Sequence, residues 1–174
     1  MKKFSLYSLL TVFALLTASN AYAYDLEVDG IYYNLDMDNY TASVTYGDNK
    51  YAGDVVVPST IQYKTVKFDV MAIGESAFSE CKALTSVKIA EGITKIGSWA
   101  FYNSENLVEV VIPSTVKTIS GRAFQSCDNL EKVTLPEGIE RIENYTFDNC
   151  YKLSEIKIPS TVKEIGSSAF YNCI

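Results

Sequence analysis

Apolar positions along this chain recur with one long period. Phenylalanine stands at 78, 101, 124, 147 and 170, and isoleucine at 73, 96, 119, 142 and 165, both at steps of 23 residues. Five further columns keep that step. They are Leu84, Leu107, Leu130 and Leu153; Val87, Val110, Val133 and Ile156; Ile89, Ile112, Leu135 and Ile158; Ile93, Val116, Ile139 and Val162; and Ala77, Ala100, Ala123, Thr146 and Ala169. Columns locked to a single period mark a stacked repeat. One short unit cannot bury its own apolar side chains, whereas stacking turns each column into a continuous apolar spine.

Within a unit the pattern predicts three pieces. Leu107-x-x-Val110-x-Ile112 ends in the two-residue alternation of a strand, and Pro113, Pro136 and Pro159 follow that strand at once. Proline cannot donate to a ladder, so the strand stops there. Gly92 and Gly138, or Thr115 and Thr161, then turn the chain into a second short extended piece. A tight helical turn such as Gly121–Ser126 closes the unit, with a small Ala allowing close approach and Phe plugging the interior. Neighbouring units are expected to lay their strands parallel, about 4.8 Å apart.

The region before the array is different. Ile31 to Asp36 and Thr41 to Tyr46 read as strands with a turn near 37–40, and Val66-x-Phe68-x-Val70 alternates as another. Pro58 and Ala90 lie 32 positions apart instead of 23, so the first unit carries a nine-residue insertion. Residues 24–72 are read as an N-terminal β-hairpin cap, needed because a solenoid end exposes its spines and strand edges. Residues 73–174 form the array, read as uncapped at its C-terminal end. There the strand at 153–158 would be an open edge, so the array continues in a longer chain or that edge pairs with another chain. Residues 1–23 read as a secretory signal peptide: Lys2 and Lys3, an apolar run from Leu6 to Ala18, then Ala21-Tyr22-Ala23. The run is too short for a membrane span. The expected location is therefore outside the cell or on its surface.

The unit Leu130-x-x-Val133-x-Leu135-Pro136-x-Gly138-Ile139-x-x-Ile142-x-x-x-Thr146-Phe147-x-x-Cys150 resembles the BspA-like leucine-rich repeat, a 23-residue class of bacterial surface proteins. The segment Asp29-Gly30-Ile31-Tyr32-Tyr33 through Tyr51-x-Gly53-x-Val55 is similar to the region that often precedes such repeats. Departures are Ala90 for the proline, Ser104 for the cysteine and Thr146 for the alanine. The resemblance implies a β-rich α/β, right-handed leucine-rich-repeat solenoid with short helical turns. It also implies an adhesin-like role in binding extracellular-matrix or partner proteins.

Composition narrows the chemistry. There is no histidine, which removes Ser-His and Cys-His nucleophile pairs and His-containing metal sites. Without Lys2 and Lys3 the balance is 13 basic against 21 acidic residues, a net −8, which disfavours nucleic acid and anionic lipid. No convergent catalytic set, phosphate loop or cofactor motif occurs, so the expectation is a non-enzyme without cofactors or metal. Asp36 and Asp38 sit two apart but lack the rest of a calcium loop.

Four columns are candidates for function. Cys81, Ser104, Cys127, Cys150 and Cys173 share one slot. Disulfides are possible in an exported chain, but Ser104 in the same slot favours small buried groups that donate a hydrogen bond to a turn. Ser86, Glu109, Lys132 and Glu155, beside Lys88, Val111, Thr134 and Lys157, run down the outward strand face. They are either cross-strand pairs that favour the in-register stack or a protein-binding face. Trp99, Arg122 and Tyr145 share a column with Tyr102 close by. Such residues form binding hot spots, could stack on sugar rings, or simply pack with Arg122 over the rings. The partner is thus a surface or extracellular protein, or a glycan, with edge-mediated self-association as the structural alternative.

Overall fold

The computed structural model describes residues 24–174, and the leader read at 1–23 lies outside the described residues. Among the described residues thirteen strands run in chain order: β1 Leu26–Val28, β2 Ile31–Asp36, β3 Thr41–Thr45, β4 Ala52–Val57, β5 Thr60–Tyr63, β6 Val66–Ile73, β7 Ala83–Ile89, β8 Lys95–Ile96, β9 Glu109–Val111, β10 Thr118–Ile119, β11 Lys132–Val133, β12 Arg141–Ile142 and β13 Glu164–Ile165. One parallel sheet has the order β11-β9-β7-β4. The other begins with the antiparallel β1-β2-β3, passes to β6 with β5 hairpinned against it, and continues parallel through β8 and β10. A third pair, β12-β13, repeats the second sheet's register farther along. Val87↔Val110↔Val133 and Ile73↔Ile96↔Ile119 are in register, so residues of one sequence column are neighbours across the sheet.

The spine is a column of stacked rings. Phe78, Phe101, Phe124 and Phe147 are fully buried. Successive ring centres from Phe78 to Phe170 lie 5.0, 5.0, 5.2 and 5.4 Å apart, with planes within 7° of parallel. The cap extends this column with tilted tyrosines. Tyr51 sits 4.6 Å from Phe78, Tyr32 sits 5.7 Å from Tyr51, and Tyr24 sits 4.5 Å from Tyr32. A buried phenol usually finds a partner. Tyr51 donates to the Thr45 carbonyl at 2.6 Å and accepts the Tyr32 N–H at 3.0 Å. The array's first ring is thus covered by a side chain whose polar end is satisfied.

Two expectations need correction. The segments closing each unit are not helical: no helix occurs among the described residues. Each contains two residues in the left-handed region, Trp99 and Asn103, Arg122 and Ser126, or Tyr145 and Asn149, with φ between 53° and 62°. One such residue every four breaks the α-helical ladder. The chain instead forms successive tight turns, such as Ala100 N–H to Gly97 O at 3.4 Å and Tyr102 N–H to Trp99 O at 3.0 Å. The intervening N–H groups are turned sideways. Phe78 donates to Ala100 O, Phe101 to Ala123 O, Phe124 to Thr146 O and Phe147 to Ala169 O, all at 2.7–2.9 Å. The turns are therefore a third ladder between coils.

Residues 153–158, expected as a strand, form none. In the two preceding units Val108 N–H reaches Thr85 O and Glu131 N–H reaches Val108 O. In the last unit Ser154 N–H folds back on Lys152 O at 3.0 Å, so the link to β11 is not made. The same sheet shortens along the chain, from seven residues in β7 to three in β9 and two in β11.

Candidate binding surface

The turn ladder positions the aromatic candidates. Trp99, Arg122 and Tyr145 are the residues at positive φ just before the small Ala or Thr, so the backbone of each coil presents them at the same height. The Arg122 guanidinium carbon lies 5.6 Å from the Trp99 ring centre and 4.9 Å from that of Tyr145, a cation sandwiched between two rings. All three are half-buried. Arg122 thereby occupies ring faces that a sugar would need. Tyr102 belongs to a neighbouring column, and no ring contact joins it to Trp99 among the described residues.

The second candidate surface is the outward face of the β11-β9-β7-β4 sheet. Lys132↔Glu109↔Ser86↔Asp54 and Val111↔Lys88↔Val56 are cross-strand neighbours. Lys88, Glu109, Lys132 and Glu155 are exposed, as are Val56 at 65% and Val111 at 45%. None of those four charges joins an ion pair within 4 Å among the described residues, although Glu109 and Lys132 are in register. The pairs that do form among the described residues lie off this face: Lys67–Asp69 at 3.7 Å, Lys82–Glu105 at 2.7 Å, Lys152–Glu131 at 3.7 Å, Lys163–Glu140 at 3.0 Å, and Arg141 with Glu143 and Glu164. Cross-strand pairing therefore does not account for the alternating charges of the face.

The cysteine slot is structural. Cys127 donates its thiol to Phe101 O at 3.1 Å, Cys150 to Phe124 O at 3.2 Å and Cys173 to Phe147 O at 3.2 Å. Each bond reaches back to the ring-bearing turn of the preceding unit. Ser104 makes the same bond to Phe78 O at 2.6 Å. Cys81 bonds locally to Ser79 O at 3.7 Å, since Tyr51 and not a repeat turn precedes it. Burial pushes the Cys127 and Cys150 thiols far up, well away from reactivity. Among the described residues no group of His, Cys, Asp and Glu is placed to hold a metal ion, and no helix is long and apolar enough to cross a membrane.

Residues 58–174 match the BspA type leucine rich repeat region in six copies. The chain belongs to this family. Among solved structures, a leucine rich repeat protein of T. pallidum shares 28% identity over 86% of this chain and 67% of its own, with a TM-score of 0.75. A leucine-rich repeat protein from Bacteroides ovatus shares 30% identity over 86% of this chain and only 33% of its own, with a TM-score of 0.58. A leucine rich cell surface protein from Faecalibacterium prausnitzii shares 26% identity, covers 85% and 52% of the two chains, and has a TM-score of 0.58. This chain thus spans about two thirds, a third and a half of those three. No curated protein matches it.

Within this BspA-type array, one regularity went unread in the sequence. Units alternate Glu91-Gly92, Ser114-Thr115, Glu137-Gly138 and Ser160-Thr161 at the turn after the main strand. The Thr115 hydroxyl accepts the Gly92 N–H at 3.0 Å and donates to Ile93 O at 2.8 Å, while the Ser114 N–H donates to the Glu91 carboxylate at 3.2 Å. Thr161 repeats this on Gly138 and Ile139, and the Ser160 hydroxyl donates to the Glu137 carboxylate at 3.2 Å. BspA-type units here are therefore clasped in twos. The two-unit alternation of side chains was the available signal.

Proposed function

We propose that this chain is an exported, surface-located and non-catalytic binding module that docks another protein on the outward face of the β11-β9-β7-β4 sheet. The observation that carries this reading is the set of exposed, unpaired charges Lys88, Glu109 and Lys132, fixed in place by the register of β7, β9 and β11 and interleaved with exposed Val56 and Val111, with exposed Glu155 following in the same sequence column. Apolar surface supplies affinity and unneutralised charges of fixed spacing supply orientation and selectivity. A parallel sheet holds that spacing rigid, so little ordering entropy is lost on docking. The family supports a binding role, and the similar protein called a cell surface protein supports the location.

The test is saturable binding of the chain to an immobilised extracellular-matrix protein at about 0.15 M salt, where exposed charges act only within about 8 Å. Reversing Glu109→Lys together with Lys132→Glu should weaken binding at least tenfold while leaving the melting temperature in place. Unchanged binding by that double variant removes this face from the function.

A further inference from the structure

The β4 strand pairs with β7 on one side, and no strand lies on its other edge among the described residues. The Ala90 N–H donates to Val57 O at 3.0 Å, so Val57 is bonded toward β7. Bonding direction alternates along a parallel ladder. The register is continuous from Asp54↔Ser86 to Val57↔Ile89, so the backbone N–H and C=O groups of Asp54 and Val56 point toward the free edge. Beside that edge is a cavity of about 660 Å³. Asp54 and Val56 line it together with Val28, Asp29 and Ile31 of the β1-β2 hairpin and Ile61 of β5.

We infer that this groove is a strand-addition site that takes an extended, basic peptide segment of a partner protein. A row of outward N–H and C=O groups at two-residue spacing is matched by the backbone of another strand. That strand lies 4.7–4.9 Å away, and the cavity falls within the size range of ligand sites. Val28, Ile31, Val55 and Ile61 receive apolar side chains from alternate positions of the incoming strand. At the rim, Asp29 and Asp54 select a cation. The Ser86 and Thr85 hydroxyls donate to Asp54 at 2.7 and 2.8 Å and hold its carboxyl below the usual range, so it stays charged. The lysine at the groove, Lys50, is spent on Ser79 O at 2.7 Å. Tyr33 also lines the cavity, and its hydroxyl is the buried side-chain polar atom left without a hydrogen-bond partner among the described residues. The groove meets the docking face at Asp54 and Val56 but does not rest on it, since the Glu109→Lys and Lys132→Glu reversal leaves the β4 edge in place.

The probe is a capped octapeptide of alternating lysine and valine, and its twin carries N-methyl groups on alternate amides. Fluorescence polarisation with the whole chain should show saturable binding of the plain peptide and at least tenfold weaker binding of the twin. Asp29→Asn should weaken the plain peptide at least threefold, and Val56→Pro, which removes an edge N–H, at least tenfold. Hydrogen exchange provides a readout without substitution: the Val56 and Asp54 amides should slow at least tenfold when the peptide saturates the chain. Equal binding of both peptides, no saturable binding of the plain one, or unslowed Val56 and Asp54 amides overturns the inference. So does free N-acetylglucosamine displacing the peptide completely, which would make the groove a sugar site.

Discussion

The Ser104 hydroxyl donates to the carbonyl oxygen of Phe78 across 2.6 Å. Three cysteines of the same column make this bond with a thiol at 3.1–3.2 Å. The column thus selects a small donor able to satisfy a carbonyl buried in the turn stack. Ser104→Ala should destabilise the chain by about 1–3 kcal/mol, the cost of leaving a buried acceptor unpaired. Ser104→Cys should lose less. Urea unfolding of the two variants checks the order, and equal losses would make volume the deciding property.

The ring stack predicts a gradient. Phe124 packs between two parallel rings and is fully buried, so Phe124→Ala should cost about 3–5 kcal/mol. Phe170 stacks on Phe147 alone and is half-buried, so Phe170→Ala should cost clearly less. Thermal melts of the two variants at one protein concentration make the comparison.

Alkali should loosen the fold. Burial raises the pKa of Cys127, Cys150, Tyr51 and Tyr33 in the folded chain. The unfolded chain releases its thiol protons near pH ~8.5 and its phenol protons near ~10, while the folded chain retains them. Above those values the unfolded state binds fewer protons, so stability falls as pH rises. The melting temperature should be level through neutral pH and decline from about pH 9 upward. At pH 8 a thiol reagent should modify half-buried Cys173 before Cys127 or Cys150. Mass spectrometry of partly labelled chain reads the order.

Trp99 is the chain's single tryptophan, so its emission reports on the Arg122 sandwich directly. Arg122→Ala should shift that emission and cost about 1–2 kcal/mol, two cation–ring contacts at a half-exposed site. Arg122→Lys should recover only part of it, since an ammonium lacks the planar stacking face. Emission unchanged in Arg122→Ala would mean the ring and the cation do not meet in solution.

Much of the array was legible because each unit states the same contacts. The Phe101 and Phe124 columns and the Val110–Val133 register follow from period alone, since in a parallel stack every residue meets its own counterpart. The binding surfaces were less legible. Arg122 between Trp99 and Tyr145 was anticipated as one of three outcomes. The unpaired state of Glu109 and Lys132 was not, because being in register brings the backbones together without requiring the side-chain tips to meet. The Ser-Thr and Glu-Gly alternation was visible but unused, for its meaning depends on hydrogen bonds made one coil away.

From sequence alone came the repeat, its 23-residue step, the columns that stack and the strands at 31–36, 41–45 and 66–70 before the array, all consequences of where apolar side chains recur along one dimension. Tertiary structure decided the rest. It set positive φ at Trp99, Arg122 and Tyr145, because two or three N–H groups per turn bond across coils instead of along a helix. It also placed Tyr51 on the first ring, turned Ser154 away from β11, and left the β4 edge open beside a cavity. Those outcomes depend on which backbone groups find partners in space, and a periodic pattern of side chains carries no information about that choice.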